Sequence, residues 1–167
     1  MQTLILNANQ INKKISRIAY QIYETHYDEK EIILAGIAQG GYLLAERIKL
    51  VLQKISPLTI QLLKVEIDKT KPLHPVEVDV GKMKHLTGKA IILVDDVLNT
   101  GTVLAYSMKA FLNYSVKSIH IAVLIDRNHT IFPIKSDYTG LSIATTLQEH
   151  IIVDLENKGK ESVALID

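Results

Sequence analysis

The sequence predicts an α/β fold in which a mainly parallel, twisted sheet has helices on both faces. Apolar runs of strand length alternate along the chain with amphipathic stretches of helical period. Two of these runs, Glu31 to Ile37 and Ala90 to Val94, are apolar almost throughout, which is typical of strands buried on both faces. Small and polar residues follow both runs, at the edge where open parallel sheets place their ligands.

The first half of the chain begins with a predicted helix. Apolar residues recur at helical spacing from Gln10 to Tyr27, which indicates an amphipathic helix with one buried face. Glu31 to Ile37 is the first buried strand. Gly40 and Gly41 allow a tight turn after it, because glycine adopts backbone conformations that other residues avoid. A second helix is expected over Tyr42 to Gln53.

Strands and one further helix are predicted for the remainder of the chain. Thr59 to Ile67 has strand character, and Val76 to Val80 alternates apolar and acidic residues like a strand at the edge of a sheet. Ala90 to Val94 is the predicted central strand, and the amphipathic run that follows predicts a third helix over Val103 to Leu112. Later strands are expected at Ser118 to Ile125, Ile151 to Leu155 and Ser162 to Ile166.

Two adjacent acids, Asp95 and Asp96, and a Thr-Gly-Thr loop follow the central strand. Thr100 to Thr102 would present N–H groups and hydroxyls at a helix N-terminus, which favours a phosphate. Two carboxylates suit the hydroxyls of a sugar or a magnesium ion. Together these groups match what a phosphorylated ribose needs. As an alternative, acids after a strand often only cap a helix, and Thr-Gly is a common turn.

The whole pattern from Ala90 to Thr102 resembles the phosphoribosyl-pyrophosphate (PRPP) motif of the type I phosphoribosyltransferases. Two further segments resemble the pyrimidine-operon attenuators that are also uracil phosphoribosyltransferases. They are GIAQGGYLLAERI at Gly36 to Ile48 and IAVLIDRNHTIFPIKSDYTGLSIATT at Ile121 to Thr146. The opening INKKISRIAYQI, Ile11 to Ile22, is similar to the first helix of that family. The resemblance therefore covers most of the chain.

This resemblance implies a type I phosphoribosyltransferase fold, with one domain over residues 1–167 and a small C-terminal hood over about residues 127–167. It implies transfer of a 5-phosphoribosyl group from PRPP to a pyrimidine base, with uracil as the expected base and Mg²⁺ as the cofactor. It also implies a homodimer or a larger homo-oligomer. Two alternatives stay open: a nucleotide-binding regulator with little turnover, and an attenuator that binds pyrimidine-operon RNA.

The same resemblance assigns candidate site residues. The ribose and PRPP would be bound by the acid pair and the loop after it, with Mg²⁺ held indirectly by the two acids: Asp95, Asp96, Leu98, Asn99, Thr100, Gly101 and Thr102. The pyrophosphate loop would consist of Ala38, Gln39 and Gly40. Candidates for the base pocket are Asp126, Arg127 and His129. Candidates for the lid that covers the sugar are Lys69, Lys71 and His74.

The chain departs from the family's pattern at charged positions. The family has Lys at the position of Ala38 and Arg at that of Gly40, so pyrophosphate binding should be weaker here. After Thr-Gly the family has Arg and Thr, where this chain has Thr102 and Val103. The lid segment, Asp68 to Pro75, is also shorter than the family's lid. The short lid and the lost cations predict reduced activity.

Asn99 bears on the choice of base. Purine-using relatives often have Asp before Thr-Gly, and an amide cannot act as a general base at pH 7. Asn99 therefore counts against a purine substrate. For the three base-pocket candidates a structural role is equally open, for example an ion pair between Arg127 and a carboxylate.

Composition limits the partners and the compartment. The net charge of +1 gives no general attraction to nucleic acid. Lys13, Lys14 and Arg17 form a local basic patch on the first helix, which keeps RNA open as a partner. Because a charged helix face is usually only solvated, RNA is the less favoured partner. The chain has no cysteine, no apolar run of bilayer length and no charged signal-peptide start, which favours a cytoplasmic protein without a membrane partner.

Overall fold

The computed structural model describes residues 1–68, 70–71, 77–78 and 86–167. The elements in chain order are β1 (Gln2–Asn7), α1 (Ala8–His26), β2 (Glu31–Ile37), α2 (Ala38–Ile55), β3 (Thr59–Glu66), β4 (Glu77–Val78), β5 (Ala90–Leu98), α3 (Thr102–Leu112), β6 (Ser118–Asp126), β7 (Tyr138–Ser142), β8 (His150–Asp154) and β9 (Ser162–Ile166). Among the described residues, no helix combines the length and the apolar character needed to span a bilayer.

Six strands form the larger sheet, in the order β4-β3-β2-β5-β6-β7. The pairings from β3 through β7 are parallel, and β4 joins antiparallel at the edge. The predicted α/β fold with a mainly parallel sheet is confirmed. Of the predicted edge strand Val76 to Val80, only Glu77 and Val78 lie within the described residues.

Both faces of the large sheet are covered, because successive side chains along each central strand point into opposite apolar layers. On one face Ile32 and Ile92 pack with the buried sides of α1 and α2. On the other face Ile33 and Ile91 pack with Phe111 of α3. Each of these side chains is at most 1% exposed. Burying one such side chain contributes about 1.5–3 kcal/mol, so the two layers hold the central strands firmly in register.

A second sheet of three strands forms the hood, in the order β1-β9-β8 with antiparallel pairing throughout. Its strands come from both ends of the sequence and not only from residues 127–167. Within that range, Tyr138–Ser142 pairs with β6 and belongs to the large sheet. Neither β1 nor β7 is predicted from the sequence, because each is short and pairs with a strand that periodicity within its own segment does not reveal.

Two helices begin earlier than the periodicity predicts. α1 begins at Ala8 because Asn7 caps it: Asn7 Oδ1 accepts from the Gln10 N–H at 3.0 Å, and Gln10 Oε1 accepts from the Asn7 N–H at 2.9 Å. α2 begins at Ala38 and not at Tyr42. The residues predicted as a tight turn therefore form the first turn of that helix.

A buried ion pair fixes the hood to α2. Arg47 Nη1 lies 2.7 Å from Glu161 Oε1, and Glu161 is 4% exposed. Arg47 Nη2 donates to the Leu155 carbonyl at 2.7 Å, and Glu161 Oε2 accepts from the Gly159 N–H at 2.8 Å. Because loss of Arg47 would leave Glu161 as an uncompensated buried charge, this pair restricts the position of the hood.

A histidine pair, His26 at the end of α1 and His120 near the start of β6, lies at the side of the large sheet where its strands begin. His26 is 4% exposed, and its Nε2 is 3.3 Å from the Tyr138 hydroxyl. The rings of His26 and His120 meet edge to face with their centroids 5.0 Å apart. Burial, and then the neighbouring His120, lower the pKa of His26, against a smaller opposing effect of Glu29 and Asp28. The folded state therefore favours neutral His26.

The lowered pKa of His26 predicts a loss of stability in mild acid. The unfolded chain takes up a proton near the ordinary histidine pKa of about 6.5, whereas the folded chain resists protonation until a lower pH. The free energy of unfolding should fall as the pH drops below about 6.5, and His26→Gln should reduce that slope. Urea unfolding at a series of pH values measures both proteins. Equal slopes in the two proteins would contradict this prediction.

Candidate functional site

A cavity of about 500 Å³ opens at the carboxyl edge of the large sheet. Its walls are the end of β5, the loop to α3 and the first turn of α3, which together are residues 95–104. Arg127, His150 and Ile151 complete the lining from the other side. The proposed ribose and PRPP residues, Asp95 through Thr102, thus line a single cavity.

The acid pair lies within β5, which continues to Leu98 and does not end at Val94. Asp95 is 3% exposed, and its Oδ1 accepts from the Asp96 N–H at 3.0 Å. Asp96 is half-buried, and its Oδ1 accepts from the Val97 N–H at 2.9 Å. These bonds fix both carboxylates beside the backbone of their own strand, within the cavity wall.

The start of α2 lies against the acid pair. Ala38, the first residue of the helix, has a φ of 51°, an uncommon and strained value for a residue with a Cβ. A Cβ on Gly40 would overlap the Asp96 carboxylate, and a Cβ on Gly41 would overlap the Val94 carbonyl. Glycine at position 41 is therefore required for this close approach, whereas a side chain at position 40 would force Asp96 to turn away. Among the described residues, no side chain caps the helix, so its N-terminal N–H groups are available to an anion.

The loop before α3 is shaped for an anion as well. Gly101 precedes α3 with a φ of 80°, which glycine adopts without strain. The Thr100 and Thr102 hydroxyl oxygens are 2.9 Å apart, and Thr100 Oγ1 accepts from the Thr102 N–H at 3.3 Å. The loop and the first turn of α3 thus combine N–H groups with two hydroxyls, a suitable set for a phosphate.

A neighbouring segment supports residues 100–102, here called the phosphate loop because a phosphate is predicted there. The Thr100 carbonyl accepts from the N–H groups of Ile131 and Phe132, at 2.9 and 3.3 Å. A Cβ on Gly101 would lie 3.1 Å from the Ile134 Cβ, so the loop packs closely on that side chain. The conformation of the phosphate loop therefore depends on residues beyond β6.

The three base-pocket candidates have different surroundings. Asp126 turns back on its own loop, where its Oδ1 accepts from the Asn128 N–H at 2.9 Å. His129 Nε2 lies 2.5 Å from the Thr145 carbonyl. Only Arg127 lines the cavity, and its guanidinium already donates to protein acceptors. Of the three candidates, Arg127 is therefore the one that the structure brings to the cavity.

Two cavity residues are missing from the sequence prediction. His150 and Ile151 begin β8 in the hood and face the acid pair across the cavity. The sequence carries a weak signal for them, since a strand is predicted to start at Ile151. Periodicity does not predict the pairing of β8 with β9. This pairing places β8 over the carboxyl edge of the large sheet.

The lid is described only in part, whereas the basic patch lies wholly within the described residues. Lys69 and His74 lie outside the described residues, and Lys71 is exposed, with its backbone N–H donating to the Asp68 carbonyl at 3.0 Å. On α1, the Arg17 guanidinium donates to the carbonyls of Thr139 and Gly140 at 2.8 and 2.5 Å. The basic patch is thereby partly used to attach α1 to β7.

Proteins of known sequence and structure resemble this chain over nearly its full length. The family model described as the phosphoribosyl transferase domain matches residues 1–157. The chain is 38% identical to bifunctional protein PyrR of Streptococcus agalactiae, over 98% of this chain and 96% of the relative. It is 33% identical to bifunctional protein PyrR of Haemophilus ducreyi, over 99% of this chain and 97% of the relative.

Solved structures share the fold at lower identity. A hypoxanthine phosphoribosyltransferase of Trypanosoma cruzi superposes with a TM-score of 0.78 at 14% identity, covering 98% of this chain and 95% of that one. A hypoxanthine-guanine phosphoribosyltransferase of Bacillus anthracis gives 0.75 at 19% identity, covering 98% and 99%. At these identities the likeness concerns the fold alone.

The close approach of α2 to the acid pair predicts unequal effects of two glycine substitutions. Gly41→Ala should lower the free energy of unfolding by about 1–3 kcal/mol, because its Cβ meets the backbone of β5. Gly40→Ala should cost less, since the Asp96 side chain can rotate away and alanine favours the helix by up to about 1 kcal/mol. Urea unfolding of both variants measures the difference. A larger loss in Gly40→Ala would contradict the described packing.

Proposed function

The chain belongs to the phosphoribosyl transferase domain family, as its motifs predict, and on that basis we propose that it transfers a 5-phosphoribosyl group from PRPP to a pyrimidine base, with uracil as the first candidate. The products would be the pyrimidine nucleotide and pyrophosphate. The observation that carries the proposal is a juxtaposition. One cavity joins the acid pair to the phosphate loop, and the N-terminus of α2 lies directly against the acid pair.

Each part of the donor has a matching set of groups. The 5′-phosphate would accept from the N–H groups and hydroxyls of Thr100 to Thr102 at the start of α3. The ribose hydroxyls would donate to the carboxylates of Asp95 and Asp96. The pyrophosphate would lie at the N-terminus of α2, over Ala38, Gln39 and Gly40, where N–H groups and the helix dipole favour negative charge.

The protein's contribution to rate would be positioning and electrostatics. Breaking the bond between ribose C1 and pyrophosphate builds positive charge on the sugar and negative charge on the leaving group. The two carboxylates would stabilise the first charge, and the α2 N-terminus would stabilise the second. No nucleophilic side chain is needed, because a ring nitrogen of the base would bond to ribose C1 as the bond from C1 to pyrophosphate breaks. The proton that this nitrogen loses would pass to the leaving pyrophosphate or to water.

Magnesium fits this arrangement as an ion that arrives with the pyrophosphate. Among the described residues, no cluster of three or more acidic, histidine or cysteine side chains could hold a metal alone. Mg²⁺ usually keeps several waters and binds through one or two carboxylates together with substrate phosphates. Asp95 and Asp96 supply that number of carboxylates. The ion would neutralise part of the leaving group's charge.

Two observations support a pyrimidine over a purine. Asn99 is an amide whose Oδ1 accepts from Arg127 Nη1 at 3.2 Å, so it offers no general base to handle a purine proton. The relatives that match over nearly the whole chain are named PyrR, whereas the hypoxanthine enzymes are similar in fold only. Uracil is therefore the first base to test.

A regulatory RNA-binding role is less well supported, although the relatives' name includes the word bifunctional. The net charge is +1, and the Arg17 guanidinium in the basic patch is engaged with β7. Lys13 and Lys14 alone form a small electropositive surface. Binding of a pyrimidine nucleotide in the same cavity is common to the enzyme and the regulator, so the two functions differ in turnover.

Loss of the two carboxylates should abolish binding of the donor. In the variant Asp95→Asn/Asp96→Asn, affinity for PRPP with Mg²⁺ should fall below detection in titration calorimetry, because neither side chain can then neutralise a cation or accept strongly from the sugar. Circular dichroism and urea unfolding serve as controls for the fold. Unchanged affinity in a folded double variant would reject the assignment of the donor site.

Turnover with uracil should be detectable but slower than in relatives that have Lys at the position of Ala38 and a longer lid than Asp68 to Pro75. Ala38→Lys should raise kcat/KM by roughly tenfold, the factor expected for one regained charge-assisted contact with pyrophosphate. Gly40→Arg should fail to help, because its Cβ would displace Asp96. Radiolabelled uracil in a steady-state assay measures each rate.

A matched control for the added charge is Gln53→Lys, which places a lysine on the exposed far end of the same helix. This variant should leave kcat/KM unchanged. A gain equal to that of Ala38→Lys would indicate a general effect of charge, and no gain in either variant would contradict the account of the lost cation.

A further inference from the structure

Arg127 lies where the large sheet meets the hood. It directly follows β6, and its backbone N–H donates to the Leu98 carbonyl at the end of β5, at 3.0 Å. The residue is 5% exposed although its side chain lines the cavity. A guanidinium this buried requires hydrogen-bond acceptors to offset the loss of water.

The acceptors come from two segments that are far apart in sequence. On the sheet side, Nη1 donates to Asn99 Oδ1 at 3.2 Å, one residue before the phosphate loop. On the hood side, the acceptors lie in residues 145–149, here called the hood turn. Nε donates to Thr145 Oγ1 at 2.9 Å, and Nη2 donates to the carbonyls of Thr146 and Glu149 at 3.2 and 2.7 Å.

The hood turn is a small closed unit. The Thr146 N–H donates to Glu149 Oε2 at 2.6 Å, and the Glu149 N–H donates to Thr146 Oγ1 at 3.3 Å. Its Leu147 is 84% exposed, so little apolar packing holds it down. The turn leads directly into His150 and Ile151, the cavity residues of the hood.

We propose that Arg127 is a positioning residue that ties the phosphate loop to the hood turn and thereby sets the wall formed by His150 and Ile151. The link between the two segments stands by itself, whereas its effect on ligand binding rests on the function proposed above. Filling of the phosphate loop would then fix Asn99, Arg127 and the hood turn together. The base would bind more tightly to a site in which the phosphoribosyl group is already held.

The hydrogen-bond geometry favours this role over direct recognition of the base. A guanidinium has five N–H donors in a rigid fork, and four of them are directed at Asn99 and the hood turn. A base contact would depend on the one remaining N–H. Lysine has a single ammonium and cannot reach two segments at once. Arg127→Lys should therefore not hold the phosphate loop and the hood turn together.

A ligand-free experiment tests the link itself. The chain has no tryptophan, so Leu147→Trp introduces a single tryptophan as a fluorescent reporter at an exposed position of the hood turn, which can be excited selectively over the seven tyrosines. Time-resolved anisotropy then measures the local motion of that side chain. Arg127→Gln should increase the amplitude of this motion, Thr145→Val should increase it partly, and Arg127→Lys should resemble Arg127→Gln.

Arg17→Gln is the matched control, because Arg17 also donates to two carbonyls but lies outside the cavity lining. It should leave the anisotropy of the reporter unchanged. If Arg127→Gln proves unfolded by circular dichroism, the near-isosteric Thr145→Val decides the question. Unchanged motion in Thr145→Val and in every folded Arg127 variant would overturn the proposal, whatever the ligands do.

A binding experiment tests the consequence. Calorimetry with uridine 5′-monophosphate and with ribose 5-phosphate compares the whole nucleotide with its sugar-phosphate half. Arg127→Gln should weaken the nucleotide by about tenfold while changing the sugar phosphate less than about threefold. Thr145→Val should weaken the nucleotide in the same direction, with no additional loss in the double variant.

The outcomes separate this proposal from the proposed function. Equal loss for both ligands would indicate that Arg127 acts on the sugar phosphate. Full nucleotide affinity in Thr145→Val together with a large loss in Arg127→Gln would indicate direct contact with the base. Either result would overturn the positioning role. If the wild-type protein binds neither ligand, the proposed function fails, while the reporter still decides whether Arg127 holds the hood turn.

Discussion

Parallel pairing of β2, β5 and β6 is the constraint on which the rest of the molecule depends. The register sets Gly36 opposite Val94 and Leu98 opposite Asp126, so three chain segments end at one edge. Burial on both faces opposes sliding of these strands, since a shift by one residue would place each side chain in a space packed around a neighbour of different shape. The acid pair, the start of α2 and the residues after β6 therefore meet without any direct bond among them being required.

Much of this arrangement is predictable from the sequence because it depends on the regular spacing of apolar residues within each segment. The central strands and the amphipathic helices show in the apolar pattern, and the acid pair marks the ligand edge. The helix starts are not predictable in the same way, since α2 begins at Ala38 with a left-handed φ, which the spacing of apolar residues does not indicate. The position of His150 and Ile151 over the cavity depends on the hood sheet, in which β9 pairs with β8 and also with β1 from the other end of the sequence. The pairing of β1 with β9 leaves no periodic signal in either segment.

The absence of a side chain at Gly40 and the position of the Asp96 carboxylate depend on each other. A side chain at position 40 would occupy the space that the carboxylate now fills. A substitution at Gly40 would therefore move Asp96 as well. The effect of any side chain introduced there cannot be separated from its effect on the acid pair.

The hood sheet has a consequence for how the protein acquires its site during synthesis. β1 is synthesised before the other described strands and pairs with β9, which is synthesised after them. Before β9 is present, β1 and β8 lack the strand that lies between them, and His150 and Ile151 are not yet held over the cavity. The described strands of the large sheet all precede β8, so that sheet can assemble while translation continues. The cleft between the large sheet and the hood is therefore the last part of the described fold to be enclosed.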